Sequence, residues 1–179
     1  MTIEPDTKDW TWVLRERCPE CGFDPSAVDG RDVPSLLRAN AAAWPTVLAR
    51  VDAAERSRPD RWSALEYACH VRDVFRLFRE RLDLMLTVAD AHFTNWDQDV
   101  TAVERRYDQQ DPAVVSSELV QAGEALAGGF AAVAADQWSR TGVRSDGAHF
   151  TVDTFARYLV HDPIHHLWDV GAAAPIAAD

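Results

Sequence analysis

The chain has one lysine, Lys8, three cysteines, and no apolar run of membrane-spanning length in its 179 residues. Each scarcity excludes something. A bilayer-crossing helix needs about 20 predominantly apolar residues in a row, so no membrane span is expected. Three cysteines, Cys18, Cys21 and Cys69, are too few for a disulfide framework. Basic residues number 18 against 29 acidic ones, for a net charge of -11 and a pI of about 4.9. A chain of that sign repels phosphate backbones, so nucleic acid is not an expected partner. The opening "MTIEPDTKDW" is acidic and carries no apolar core of a secretory signal, which points to a cytoplasmic location. Internal repeats and low-complexity segments are missing as well. Arginine supplies nearly all the positive charge and alanine is abundant. That bias is typical of GC-rich, actinobacterial-type coding and says nothing of the fold.

What is present suits one soluble domain. Hydrophobic residues make up 47% of the chain. A domain near this size buries roughly 70% of its unfolded surface. Four helical segments stand out. The first runs from about Pro34 to Asp52, with Asp32 as its cap and Pro45 as a kink point. The second opens on "WSALE", where Ser63 and Glu66 form a capping box, and runs to about Ala89. The third starts with Asp111 as cap and Pro112 in its first turn, and continues to about Ala134. The fourth begins near Thr151 and stops at Gly171. A long loop separates helices two and three; another, "DQWSRTGVRSDGAHF", precedes helix four and has room for a short strand or turn. The expected class is all-α, a four-helix bundle. Its expected divisions are an arm with the C-x-x-C at 1–32, the bundle at 33–172 and a flexible tail at 173–179.

Around a helical wheel, Tyr67, Val71, Val74, Phe75, Phe78, Leu82 and Met85 make a broad apolar arc on helix two. Arg72, Arg76, Arg79 and Asp83 lie opposite. His70 sits at the edge of the apolar arc, with Glu66 and Asp73 on its side. Helix four has two uncharged stripes. One is Val152, Ala156, Leu159, Val160, Pro163 and Leu167; the other is Thr154, Tyr158, His161, His165 and Trp168. A helix with two such faces touches two things: the core, and either a pocket or a second subunit. A homodimer is therefore an expectation.

Residues i and i+4 share a helix face about 6 Å apart along the axis, so His161 and His165 are placed to share a metal ion. The pattern alone leaves a hydrogen-bonded cluster open as the alternative. Pro163 lies between the two and removes one helical hydrogen bond. Cys18 and Cys21 are half a zinc signal, since a structural zinc usually needs four ligands and no second C-x-x-C exists. A tight turn in the arm is the preferred reading, with a redox pair or a metal completed from elsewhere as the other. Cys69 reads as a buried apolar thiol.

"RWSALEYACHVRDVFRL" resembles the second helix of the DinB-like metalloprotein superfamily, and "YLVHDPIHHLWDV" resembles its last helix, with ligand histidines four apart. The resemblance covers all four helices in order. It implies an up-down-down-up four-helix bundle, often dimeric, with a divalent metal held by His70, His161 and His165. His166 then packs behind the ligands. Three imidazoles suit zinc, nickel or iron, with copper also accommodated. Pro163 and the "CPECGFD" arm depart from the usual pattern. Members include transferases and isomerases that use mycothiol or bacillithiol, so a small-molecule substrate and a mycothiol-type co-substrate are implied. Three protein ligands leave a coordination position open for a water or thiol. Asp73 is the candidate catalytic residue, placed to orient a ligand histidine or take a proton. Trp96 and Asp97, from the loop "HFTNWDQD", and Tyr158, on the second stripe of helix four, are the candidate cofactor contacts. A metal-stabilised, non-catalytic binding protein is the alternative function.

Overall fold

A computed structural model describes Ile3 and residues 8–173; most of the expected tail, 174–179, lies outside the described residues. Four long helices form the bundle: α1 (Val33–Leu48), α2 (Ala64–Thr87), α4 (Pro112–Ala131) and α5 (Val152–Asp169). Between α2 and α4 lie the strand β1 (Ala91–Phe93) and a short helix, α3 (Gln98–Glu104). Strands β2 (Thr141–Arg144) and β3 (His149–Thr151) precede α5. The three strands make one small sheet in the order β1-β2-β3, with β1 and β2 parallel and β2 and β3 antiparallel. The segment before α5, read as having room for a short strand or turn, holds β2 and β3. β1 and α3 fall in the segment expected to be loop. Elements of three to seven residues are too short to show a hydrophobic period.

Caps set the helix starts. Ser63 Oγ accepts from the Glu66 amide at 3.2 Å while Glu66 Oε2 accepts from the Ser63 amide at 2.8 Å, the expected capping box. Arg56 pairs with the same Glu66 carboxylate. Thr151 and Thr154 close an equivalent box at the start of α5, and Asp111 accepts two amides ahead of α4. At the first helix Asp32 makes no side-chain cap; it belongs instead to a capping box with Asp29 one short turn earlier.

The apolar arc of α2 faces the core, with Val71, Phe75, Leu82 and Met85 fully buried. Arg72 is the exception to the expected polar face. It is buried and donates to Asp73, Gln110 and Glu118, because the 105–110 segment and α4 pack over it. The first stripe of α5 is buried as expected. The N-terminal arm covers its second stripe at His161 and His165, with the Trp10 and Phe23 rings 5.5 Å from the His161 ring; Tyr158 and both histidines also line a cavity, and Trp168 stays exposed. The arm thus shares the core, contributing Val13, Cys18, Cys21, Phe23 and Val28.

Pro163 does not end α5, which continues to Asp169. The buried Asn40 amide donates to the Pro163 carbonyl at 2.7 Å and accepts from Trp44 Nε1 at 3.1 Å. That bridge ties α1 to α5 one turn from the histidines. α4 crosses α1 and α2 closely at Gly123, where an added Cβ would lie 2.7 Å from the Ala41 Cβ and 3.1 Å from the Phe75 ring. Gly123→Val should therefore lower stability by about 1–3 kcal/mol through overpacking. Urea unfolding checks this; an unchanged midpoint would mean that the crossing can open at no cost.

Candidate metal centres

α5 carries two pairs of potential ligands offset by one residue, His161 with His165 and Asp162 with His166. Successive helical residues point about 100° apart, so the pairs serve different neighbourhoods. His161 and His165 face the arm and converge with Cys18 and Cys21; all four are buried and one ligand atom from each lies within 4.8 Å of the others. Asp162 and His166 face α2 and converge with His70 within the same distance. The expected trio of His70, His161 and His165 is thus divided between two groups. His166, expected to pack behind the ligands, stands in the His70 group together with Asp162.

The His70 group is built with care. His70 is fully buried, its ring 5.3 Å from Trp96 in a nearly parallel stack and 5.4 Å from Trp62. Its Nε2 lies 3.4 Å from both Asp162 oxygens, and His166 Nε2 lies 3.7 Å from Oδ1. A distance of 3.4 Å is long for an N–H···O bond, which usually spans about 2.7–3.2 Å. It matches the separation of about 3.4 Å between two donors on one tetrahedral ion with bonds near 2.1 Å. Asp162 Oδ1 is buried with no hydrogen-bond partner. Burial pushes the Asp162 carboxyl up, but attraction to His70 and His166 outweighs it and holds the group below the ordinary carboxylate range. His166 Nδ1 lies 2.9 Å from Asp169 Oδ2. A carboxylate only accepts, so His166 Nδ1 is the donor of that pair, and its Nε2 is the ring nitrogen turned toward Asp162 and His70. Arg61 in turn holds Asp169 at 2.5 Å.

The second group sits under the arm. Cys18 Sγ is 3.7 Å from His165 Nδ1, and His165 Nε2 is 3.4 Å from Glu20. Burial pushes the Cys21 thiol up to about 12 and the His161 imidazole down to about 4, so both are neutral at pH 7. His161 Nε2 is buried with no hydrogen-bond partner.

A cavity of about 600 Å³ opens beside these residues. Trp96, Asp97 and Tyr158, the expected cofactor contacts, all line it, as do Asp162 and His166. Trp96 bonds to Thr101, Asp97 caps α3, and the Tyr158 hydroxyl accepts from Arg144. Arg81 also lines the cavity. It is buried, donates to the Thr94 carbonyl and lies against Phe78 and Phe93, with no carboxylate within 4 Å among the described residues. Desolvation, aided by repulsion from Arg144, lowers its pKa to about 10, still charged at pH 7. Sequence reasoning missed Arg81, Asp162 and Asp169: acidic and arginine positions are common on helices and nothing local marks these.

Asp73 is elsewhere. It is gripped by Arg72 at 2.9 Å, by Arg105 at 2.9 Å and by the Tyr107 hydroxyl at 2.6 Å. Burial raises its pKa, but the bonds from Arg72 and Tyr107 overcome that and leave the carboxyl lower than usual. Cys69 is fully buried, and desolvation lifts its thiol to about 12, which fits an inert apolar residue.

The sequence pattern that defines the DinB superfamily matches residues 35–170. The chain belongs to the DinB superfamily. No curated protein matches it. Among solved structures it is similar to YfiT from Bacillus subtilis, described as a probable metal-dependent hydrolase with an unusual four-helix bundle topology. The two share 14% identity over 80% of this chain and 89% of that one, with a TM-score of 0.69. The likeness establishes the bundle fold; the residues of the site are this chain's own.

The Asp73 network generates a pH-dependent expectation. A folded-state pKa below the unfolded value of about 3.9 gives stability that is complete above that value and is lost as pH falls through the folded one. Asp73→Ala should cost roughly 3 kcal/mol at pH 7, because it leaves the buried Arg72 short of a partner. The deficit against wild type should begin to shrink below about pH 4, where the carboxyl of the unfolded chain starts to protonate, and keep shrinking as pH falls toward the lower folded-state pKa. Urea titrations at both pH values measure it, and metal content should be unchanged.

Proposed function

We propose that the chain is a metal-dependent enzyme with its reaction centre at His70, Asp162 and His166. The observation that carries this reading is the convergence of two imidazole nitrogens on a buried, unbonded carboxylate oxygen at the edge of a cavity. The donor set fits a divalent cation of the zinc, nickel or iron type. A bound ion there, with only three protein ligands, would supply a lowered pKa to a water or thiol in an open position.

The chain's own residues divide the remaining work. Asp169 fixes the His166 tautomer and keeps its Nε2 available, and Arg61 fixes Asp169. Trp62 and Trp96 hold the His70 ring from two sides. Arg81, buried with no carboxylate within 4 Å among the described residues, is suited to hold an anionic group of the substrate. The volume lies within the usual range of small-molecule sites, roughly 300–1,000 Å³. Hydrolysis, the probable activity described for YfiT, would call for a water in the open position. Transfer or isomerisation with a mycothiol-type thiol, the finer reading suggested by the family resemblance, uses a thiolate there instead. The cavity accommodates either.

Four measurements test the proposal. His166→Ala and Asp162→Ala should each abolish metal binding at this centre; retention of metal at the wild-type level in both would overturn it. Asp169→Asn should weaken metal affinity about 10–100-fold while leaving the bundle folded. Screening metal-loaded protein against carboxylate-bearing esters and amides, and against electrophiles with an added low-molecular-weight thiol, separates hydrolysis from thiol transfer. Arg81→Met should raise KM for the anionic substrate about tenfold, more than it lowers kcat. Metal binding without turnover of either panel would favour the non-catalytic binding protein.

A further inference from the structure

The group under the arm has the composition and closure of a structural metal site. The arm supplies "CPECG", in which the Gly22 amide donates to the Cys18 carbonyl at 3.0 Å and the Cys18 amide donates to the Phe23 carbonyl at 2.8 Å. Gly22 has φ of +77°, a conformation that favours glycine at this position. This tight turn brings both sulfurs to one side. α5 supplies His161 and His165 from successive turns of one face. The four side chains are between 1% and 8% exposed, and two of them are imidazoles, whose polar nitrogens need partners when buried. Trp10 and Phe23 wall the group, with Trp10 5.5 Å from both imidazole rings.

We propose that Cys18, Cys21, His161 and His165 form a closed tetrahedral zinc site that fastens the N-terminal arm to α5. Zn–S and Zn–N bonds of about 2.3 and 2.1 Å put a sulfur and a nitrogen on one tetrahedral ion about 3.6 Å apart. The Cys18 Sγ to His165 Nδ1 separation is 3.7 Å. No disulfide joins Cys18 and Cys21. The buried Nε2 of His161, which has no hydrogen-bond partner, is a second sign of a missing ligand. Coordination displaces the two thiol protons to solvent and leaves the cluster neutral: two thiolates balance one Zn²⁺. Glu20 and Asp169, 3.4 and 3.9 Å from His165 Nε2, orient that ring from behind. Four protein ligands leave no open position, so this ion takes no substrate. It is distinct from the His70 centre, which contains no sulfur.

The chemistry of sulfur supplies the test. Protein is purified anaerobically, its metals are removed, and it is reloaded with Co²⁺. Wild type and the His70→Ala/His166→Ala variant should both show the near-ultraviolet thiolate-to-cobalt charge-transfer band and the intense visible bands of a tetrahedral ion. The same double variant, purified with zinc, should retain about one zinc per chain. Cys18→Ser/Cys21→Ser should lose the thiolate band and that zinc while keeping the metal of the His70 centre. Removal of the zinc by chelator should expose the arm to trypsin at Arg15 and Arg17 at least tenfold faster. Loss of all metal in His70→Ala/His166→Ala, or a wild-type cobalt spectrum with no thiolate band, would overturn the proposal, and neither depends on the serine variant folding. Because the band reports sulfur alone, its presence or absence is separate from the fate of the proposed reaction centre.

Discussion

One turn of α5 carries the architecture. His161 and His165 share one face, and Asp162 and His166 share the next, about 100° around the helix. Everything else in the molecule is arranged so that each face meets its partners. The arm closes over the first face with Cys18 and Cys21, and α2 brings His70 to the second. Both convergences require α5 to stay helical through Pro163, in the middle of the two pairs. A proline there removes an amide and crowds the preceding turn, with a typical cost of about 3 kcal/mol in a helix interior. The surrounding structure over-determines the position. The proline ring is buried in the core, and Asn40 reaches across from α1 to hold its carbonyl.

The arm has little regular structure of its own, only short 3-10 turns between Trp10 and Asp32. A segment of this kind stays in place through the apolar surface it buries and through specific fastenings. Phe23 and Val28 supply the first, and Asp153, which accepts from the Gly30 amide at 3.1 Å, is one of the second. The Cys18–Cys21 turn presses on the uncharged second stripe of α5. That stripe would otherwise present His161 and His165 to solvent, as it does Trp168.

The bundle was legible in the sequence because helix starts are local chemistry. Ser63 with Glu66 and Asp111 with Pro112 announce their helices within a few residues, and the apolar period of α2 fixes its inner face. Arg72 was misread for the opposite reason: what buries it comes from Gln110 and Glu118, about 40 positions away. The site was legible in part. The interior position of His70 followed from the wheel, and the family resemblance pointed to the right turn of the last helix. A three-histidine reading, however, favours ligands of one kind, so it selected His161 and His165 and passed over Asp162 with His166. A one-residue offset moves a side chain by more than a quarter of a turn. Nothing in the two helices alone says which pair faces α2 and which faces the arm. The Cys18–Cys21 pair looked incomplete because its complement is a pair of histidines some 140 residues later, in a different ligand chemistry.

Were both groups loaded, their composition would answer an electrostatic difficulty. Two divalent cations held by neighbouring residues of one helix repel strongly in a low-dielectric interior. The arrangement avoids this by distributing the anions unequally. A zinc with two thiolates would be neutral as a unit, and would leave an ion at the His70 group as the cationic one of the two. There the single carboxylate, Asp162, would leave a bound divalent ion with net positive charge, as the activation of a water or thiol requires. Asp169 stands behind both, 2.9 Å from His166 Nδ1 and 3.9 Å from His165 Nε2, and is itself neutralised by Arg61. Its carboxyl is raised by burial yet held below the ordinary range by His166, so it remains an anion able to polarise both imidazoles. A change at Asp169 therefore reaches both groups. The mechanical linkage between the arm and the cavity and the electrostatic linkage between the two candidate centres run through the same few residues of α5.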